Sequence, residues 1–110
     1  MTLKRLRQIL KALADDTRLR IVNILMHREL TVNEICSILR INQPTISKHL
    51  VRLRLLGIVF DKRVKNYVYY SLNLNADEGK IIRFITSTFK DLNTFEKDEE
   101  RLKKQKIRKI

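Results

Sequence analysis

LTVNEICSILRINQPTISKHLVRLRLLGIVFDKRVKNYVYYSL, from Leu30 to Leu72, decides how the chain folds. Thr31 and Glu34 stand at capping-box spacing: the hydroxyl accepts from an early backbone N–H, and the carboxylate from the cap residue's own N–H. Ile35, Ile38 and Leu39 then recur on one helical face. Arg40-Ile41 closes a tight turn with Ile41 as an apolar plug, and Asn42 caps a second helix that Gln43-Pro44 opens. Proline in a first turn loses no intrahelical hydrogen bond, because the N–H groups there have no partner. Gly57 ends this helix. Ile58-Val59-Phe60 starts a strand, Arg63 to Asn66 turns, and Tyr67 to Leu72 returns, with Val68, Tyr70 and Leu72 on one face and Tyr67 and Tyr69 on the other.

Ile46, Leu50 and Leu53 form the buried stripe of the second helix, at i, i+4 and i+7. Pro44, Lys48 and Arg52 lie about 180° away, flanked by Thr45, Ser47 and Val51. Hydroxyls, an amide and long cations on the outer face of a short helix suit a DNA major groove. Thr45 and Ser47 can reach phosphates or bases, Lys48 and Arg52 either, and Gln43 is placed to pair with adenine. His49 borders the buried stripe, which suits partial burial as well as a base contact. The hairpin tip carries Lys62, Arg63 and Lys65, which can track phosphates or enter the minor groove. A solvated helix face and a hairpin whose lysines discourage edge pairing have the same composition. The adjacency of the two favours DNA. The fold class expected is mainly α with a small β-hairpin: a helix-turn-helix with a wing.

Further motifs extend the pattern on both sides. Leu13 to Ile21 reads LADDTRLRI, similar to the LADPTRLRIL opening of the ArsR/SmtB family, with Asp16 where proline is usual. Glu29 to Val32, Gln43 to Leu50, Leu53, Gly57 to Val59 and Tyr67 to Tyr70 continue the likeness, which covers Leu3 to Leu74. The chain thus resembles the ArsR/SmtB family of dimeric winged-helix repressors. The resemblance implies an ααααββα winged helix-turn-helix that dimerises through its N- and C-terminal helices. Two recognition helices would then sit about one DNA turn apart, roughly 34 Å, on a palindromic operator.

The bulk numbers agree with one small nucleic-acid-binding domain. A chain of 110 residues supports a single core, and 33% charged against 44% apolar residues marks it as folded and soluble. The net charge of +12 calls for a polyanionic partner: DNA first, RNA second, a membrane surface third. From Arg40 to Asn66 the seven cations (Arg40, Lys48, Arg52, Arg54, Lys62, Arg63, Lys65) face one anion, Asp61. A single cysteine excludes an intrachain disulfide framework and fits a reducing compartment. No stretch approaches the ~18 apolar residues of a membrane span, and the N-terminus has no signal-peptide h-region, so a cytoplasmic, nucleoid-associated protein is expected. Paired carboxylates in a pocket context, a Ser/His/Asp set and a metal-ligand set are all missing, so the chain reads as neither an enzyme nor a cofactor carrier.

Outside the central stretch, Thr2 to Ala14 reads as a helix whose Leu3, Leu6, Leu10 and Leu13 form a narrow seam, suited to a partner helix or to intrachain packing. Asp15 caps a second helix with Leu19, Ile21, Val22, Ile24 and Leu25 as its apolar face. Arg18 and Arg20 reach either phosphate or Asp15, Asp16 and Glu29, with the structural role favoured. Asn75 or Asp77 caps a last helix, amphipathic through Ile81, Ile82, Phe84, Ile85, Thr88, Phe89, Leu92 and Phe95. Leu3, Leu6, Leu10, Ile82, Phe84, Ile85, Phe89 and Leu92 are the expected dimer contacts. The winged-helix domain with its dimerisation helices spans residues 1–95. Residues 96–110 make a charged tail, either a frayed basic segment that adds DNA affinity or a solvated extension with Glu99–Lys103 and Glu100–Lys104 pairs.

Many members of the family sense metals, and the resemblance locates the two site types. Where one uses an ELCVCDL pattern, this chain has Glu29-Leu30-Thr31-Val32-Asn33-Glu34-Ile35, with Thr31 and Asn33 in place of both cysteines. Those are poor ligands for thiophilic metals. The other site type draws on histidines of the last helix, and Asp77 to Phe95 contains none. No metal site is expected, and the effector stays unassigned. Cys36, beside Ile35 near a buried face and with no second cysteine, reads as an inert small hydrophobe. The function expected is a homodimeric, sequence-specific double-stranded-DNA-binding regulator that represses by occluding a promoter. A nonspecific architectural nucleic-acid binder, chromatin-like, is the competing reading.

Overall fold

The computed structural model describes residues 1–105. In chain order the elements are α1 (Leu3–Leu13), α2 (Asp16–Leu25), β1 (Leu30–Thr31), α3 (Val32–Leu39), α4 (Gln43–Leu55), β2 (Val59–Val64), β3 (Tyr67–Leu72), α5 (Ala76–Thr88) and α6 (Asn93–Lys104). The three strands form one antiparallel sheet in the order β1-β3-β2.

Most helix starts follow from side-chain caps. Thr2, Asp15, Thr31 and Asn42 each accept from the backbone N–H three residues on. Thr31 and Glu34 complete the box, Glu34 Oε1 accepting from the Thr31 N–H at 2.8 Å. The N–H of Arg18 holds the Asp15 carboxyl below its usual range, against the opposing push of burial, because a cap accepts best when ionised. The caps of α5 and α6, Asn75 and Leu92, make no side-chain cap bond. Asn75 is itself held, its N–H donating to Asn73 Oδ1 at 3.1 Å.

Arg40 takes a left-handed φ of 57° at the end of α3 and turns the chain into α4. At the end of α4, Gly57 (φ 71°) allows the Ile58 N–H to reach back to the Leu53 carbonyl at 2.9 Å, a Schellman-type closure that only glycine enters without strain. Ile21, Ile24, Ile35, Ile38, Ile46, Leu50, Leu53 and Ile58 are all fully buried and make up one core with Ile9, Leu30 and Val59. Tyr70 and Leu72 pack on it from the β3 face.

Three features depart from the sequence reading. The hairpin gains β1 as a third strand, with Leu30 opposite Tyr70 and Thr31 opposite Tyr69. The wing turn is only Lys65-Asn66, with Lys65 at φ 56°, because Val64 and Tyr67 still pair. The single last helix expected from Asp77 to Phe95 breaks after Thr88, and the chain re-enters a helix at Asn93. Phe95 is therefore buried in its own subunit. Residues 96–104, expected within a charged tail, belong to packed α6, and residues 106–110 lie outside the described residues.

What pins α6 is a buried charge. Asp98 is 0% exposed. Arg20 of α2 grips it with two parallel bonds of 2.9 Å, and Arg101 adds a third of 2.6 Å. Arg20 also donates to the carbonyl of Leu39 at 3.0 Å, and Arg101 to that of Ile38, so two cations sit on the carbonyl end of α3. The bond to Asp98 raises the pKa of Arg20 further still. Asn23, buried at the end of α2, donates to Glu99, whose other oxygen meets His27 at 3.1 Å.

Removing one member of a buried ion network leaves uncompensated charge, at about 3–5 kcal/mol when desolvation is complete. The two arginines keep 21% and 24% side-chain exposure, which favours the lower end. Asp98→Ala should therefore cost about 3 kcal/mol and lower Tm by roughly 10 °C or more in a calorimetric melt. A melt within a degree or two of the parent would show that α6 is not held by this charge.

Candidate nucleic-acid interface

Helix α4 lies with Ile46, Leu50 and Leu53 buried, which leaves Gln43, Pro44, Lys48, Val51, Arg52 and Leu55 on its outer face. Thr45, Ser47 and His49 are half-buried along its edges. Gln43 Nε2 donates to Ser47 Oγ at 2.7 Å, which holds that amide against the helix with its oxygen free to accept. Lys48 and Arg52, one turn apart, make no ion pair among the described residues. The outer face thus offers an amide, a hydroxyl and two unneutralised cations, the donor and acceptor set that reads base edges and phosphates.

The wing stands beside this helix and is tied to it. Arg54 Nη1 meets Asp61 Oδ2 at 3.3 Å, joining the end of α4 to β2. Below it, Asn73 Nδ2 donates to the Gly57 carbonyl at 3.0 Å, and the Asn73 N–H to that of Ile58 at 2.9 Å. These three contacts set the angle between helix and wing, and the sequence reading did not anticipate them. Opposite charges at positions 54 and 61, astride the glycine, were the available signal. At the tip, Arg63 and Lys65 are exposed and unpaired among the described residues. Lys62 leans instead onto Glu29 at 3.6 Å, across the sheet.

The expected dimer contacts divide. Leu3 (82% exposed), Leu10, Phe84 (62%), Phe89 and Leu92 are open to solvent, and the Phe84 and Phe89 rings meet edge to face at 6.4 Å. Leu6 and Ile85 are half-buried. Ile82 is corrected: it is 0% exposed, a core residue of its own subunit that cannot reach a partner. Leu13 turns inward with Ile9 and Ala12, so the leucine seam of α1 splits between core and surface.

Thr31, at one of the cysteine positions of the metal-sensing pattern, is committed to capping α3. Among the described residues no group of three His, Cys, Asp or Glu side chains gathers as a metal-ligand set. Burial pushes the Cys36 thiol up, away from the low pKa of a reactive cysteine. No described helix is long and apolar enough to cross a membrane.

Two variants separate helix from wing. Lys48→Ala should weaken DNA binding measurably while the melt stays that of the parent, since Lys48 is exposed and outside the core. Arg63→Ala with Lys65→Ala should flatten the log K against log salt slope by up to ~2, if each cation neutralises one phosphate. An unchanged slope would take the wing tip off the DNA.

Comparison with known proteins gives the same reading. Residues 15–60 match the family described as bacterial regulatory protein, arsR family. The arsenic resistance transcriptional regulator ArsR1 of Pseudomonas putida is 44% identical over 66 residues, 59% of this chain and 52% of that protein, so the alignment spans about half of its length. The transcriptional repressor SdpR of Bacillus subtilis is 32% identical over 87 residues, 76% of this chain and 97% of that one. Among solved structures, the homodimeric winged helix-turn-helix DNA-binding domain of Mb0332 from Mycobacterium bovis matches with a TM-score of 0.70 at 26% identity. That match covers 81% of this chain and 82% of the other. The chain belongs to the arsR family of bacterial regulatory proteins, winged helix-turn-helix transcriptional regulators that bind DNA and are not enzymes.

Proposed function

We propose that the chain is a homodimeric repressor that occupies a palindromic operator within the nucleoid, occludes a promoter, and answers to a signal other than a thiophilic metal. One observation carries the DNA-reading part: on α4, Gln43, Lys48 and Arg52 are exposed and the two cations have no ion-pair partner among the described residues, while the opposite face is locked into the core. The dimer rests on the open apolar side chains of α1 and α5, together with the homodimeric state of the Mycobacterium bovis relative. Leu3, Leu10, Phe84 and Phe89 are too many large apolar groups to stay solvated without cause. A self-complementary patch of this kind pairs about a two-fold axis, and a two-fold protein reads a palindrome. Repression is the role of SdpR, whose length this chain matches almost completely.

The test is fluorescence anisotropy on the duplex upstream of the protein's own gene and on a scrambled duplex. A preference of about 10³ or more for the first supports a specific regulator. Equal affinities, replicated on the other intergenic duplexes of the genome, would favour an architectural role, to which the net charge of +12 also lends itself. Phe89→Asp should give monomers by light scattering, and a dimer that survives it would remove α5 from the interface.

A further inference from the structure

We propose that a groove between α1 and the end of α4 is a second DNA-backbone site, in which Arg7 and Lys11 of α1 join Arg52 of the recognition helix in holding a phosphate outside the base-reading first turns of that helix. This inference deepens the DNA-binding reading and rests on it. The groove encloses about 390 Å³ and is lined by Arg7, Gln8, Lys11, Arg52 and Leu56. Three of those five side chains are cations, one is an amide donor, and none is acidic. Arg7 and Lys11 lie one turn apart on the same face of α1, and Arg52 comes from the opposite wall.

Several nearby arginines, by contrast, are spoken for. Arg5 is bonded to Glu78 at 3.2 Å, Arg18 to Asp15 at 3.8 Å, Arg20 and Arg101 to Asp98, and Arg54 to Asp61. Arg7, Lys11 and Arg52 have no ion-pair partner among the described residues. Three like charges converging on one cleft repel one another unless an anion enters, and a tetrahedral phosphate diester accepts from several donors at once. The groove also continues onto the reading surface. Arg52 walls a second cleft, of about 320 Å³, with Arg18, Lys48, His49, Val51 and Leu55. A cationic track thus runs from Lys48 on the recognition helix, across Arg52, to Arg7 and Lys11 on α1. The same helix α1 carries Leu3 and Leu10, two of the proposed dimer contacts, so light scattering must follow any variant made in this groove.

The test is a salt series on Arg7→Ala with Lys11→Ala, measured by anisotropy on the upstream and scrambled duplexes, with light scattering to follow the dimer. If the groove binds phosphate, the log K against log salt slope falls by about 1–2. Affinity falls alike on both duplexes, so their ratio holds, because a backbone contact reads no sequence. Arg7→Lys with Lys11→Arg retains the slope. Lys97→Ala with Lys104→Ala removes the same charge from the exposed side of α6 and leaves the slope at the parent value. An unchanged slope in the Arg7/Lys11 variant overturns the proposal, as does an equal fall in the α6 control, which would make it a net-charge effect. The slope is read on either duplex, so a parent protein that fails to prefer its own upstream duplex sinks the specific-regulator reading and leaves this test legible.

Discussion

The orientation of α4, the proposed reading helix, depends on a carboxylate 55 positions from its start in the chain, at Asp98. Asp98 lies in α6, yet through Arg20 and Arg101 it fastens the carbonyl end of α3, one residue before the chain flips left-handed at Arg40 and enters α4. The last carbonyls of a helix have no intrahelical partner, and the helix dipole makes this end the negative pole. Two guanidinium groups satisfy it, and they are kept there because a fully buried anion stands behind them. The geometry is one-sided in consequence: weakening Asp98 frees α6 and also loosens the support of the turn that aims α4.

This arrangement explains how so basic a chain can fold compactly. Twenty-four Lys and Arg face twelve Asp and Glu. Much of the acidic supply is spent inside the scaffold, on Arg5, Arg18, Arg20, Arg54 and Arg101, or on helix caps at Asp15 and Glu34. Among what remains unneutralised, Arg7 and Lys11 of α1 and Lys48 and Arg52 of α4 line two adjoining clefts. The excess charge is a cost to the free protein through self-repulsion, and it is released when a polyanion binds.

The central stretch was legible because its determinants are local. A capping box, a single proline, a C-terminal glycine and a period of 3.6 all act within a few residues, and each appears in the structure as read. Helix α6 was not legible for the opposite reason. Glu96, Lys97, Asp98, Glu99 and Glu100 look alike as a charge run, and only a partner 78 positions away makes Asp98 a core residue. A fainter signal was present: Phe95, Asp98 and Leu102 recur at three and four, the spacing of a buried helix face. Strand β1 has two residues, too short for any alternation to show. Ile82 and Phe84 illustrate the limit for helix faces, since both are apolar members of one amphipathic run, and only the packing decides that the first is core and the second is open.

The same distribution of forces indicates where a signal would act. Within a subunit, α3, α4 and the wing are held by a continuous core, two closures of the Gly57 turn and the Asp98 network, so changing the angle of the proposed reading helix means breaking several contacts, with about 3 kcal/mol in the buried charge alone. In the proposed dimer, by contrast, the separation of the two reading helices rests on the outer side chains of α1 and α5, which the subunit core does not restrain. Half-site spacing tolerates little error on a rigid duplex. A shift between subunits therefore alters operator affinity at less cost than a change within one. An effector that works on this protein gains most by touching the α1–α5 face, and it needs only a modest difference in affinity between the two dimer geometries, since about 1.4 kcal/mol of coupling already changes occupancy tenfold.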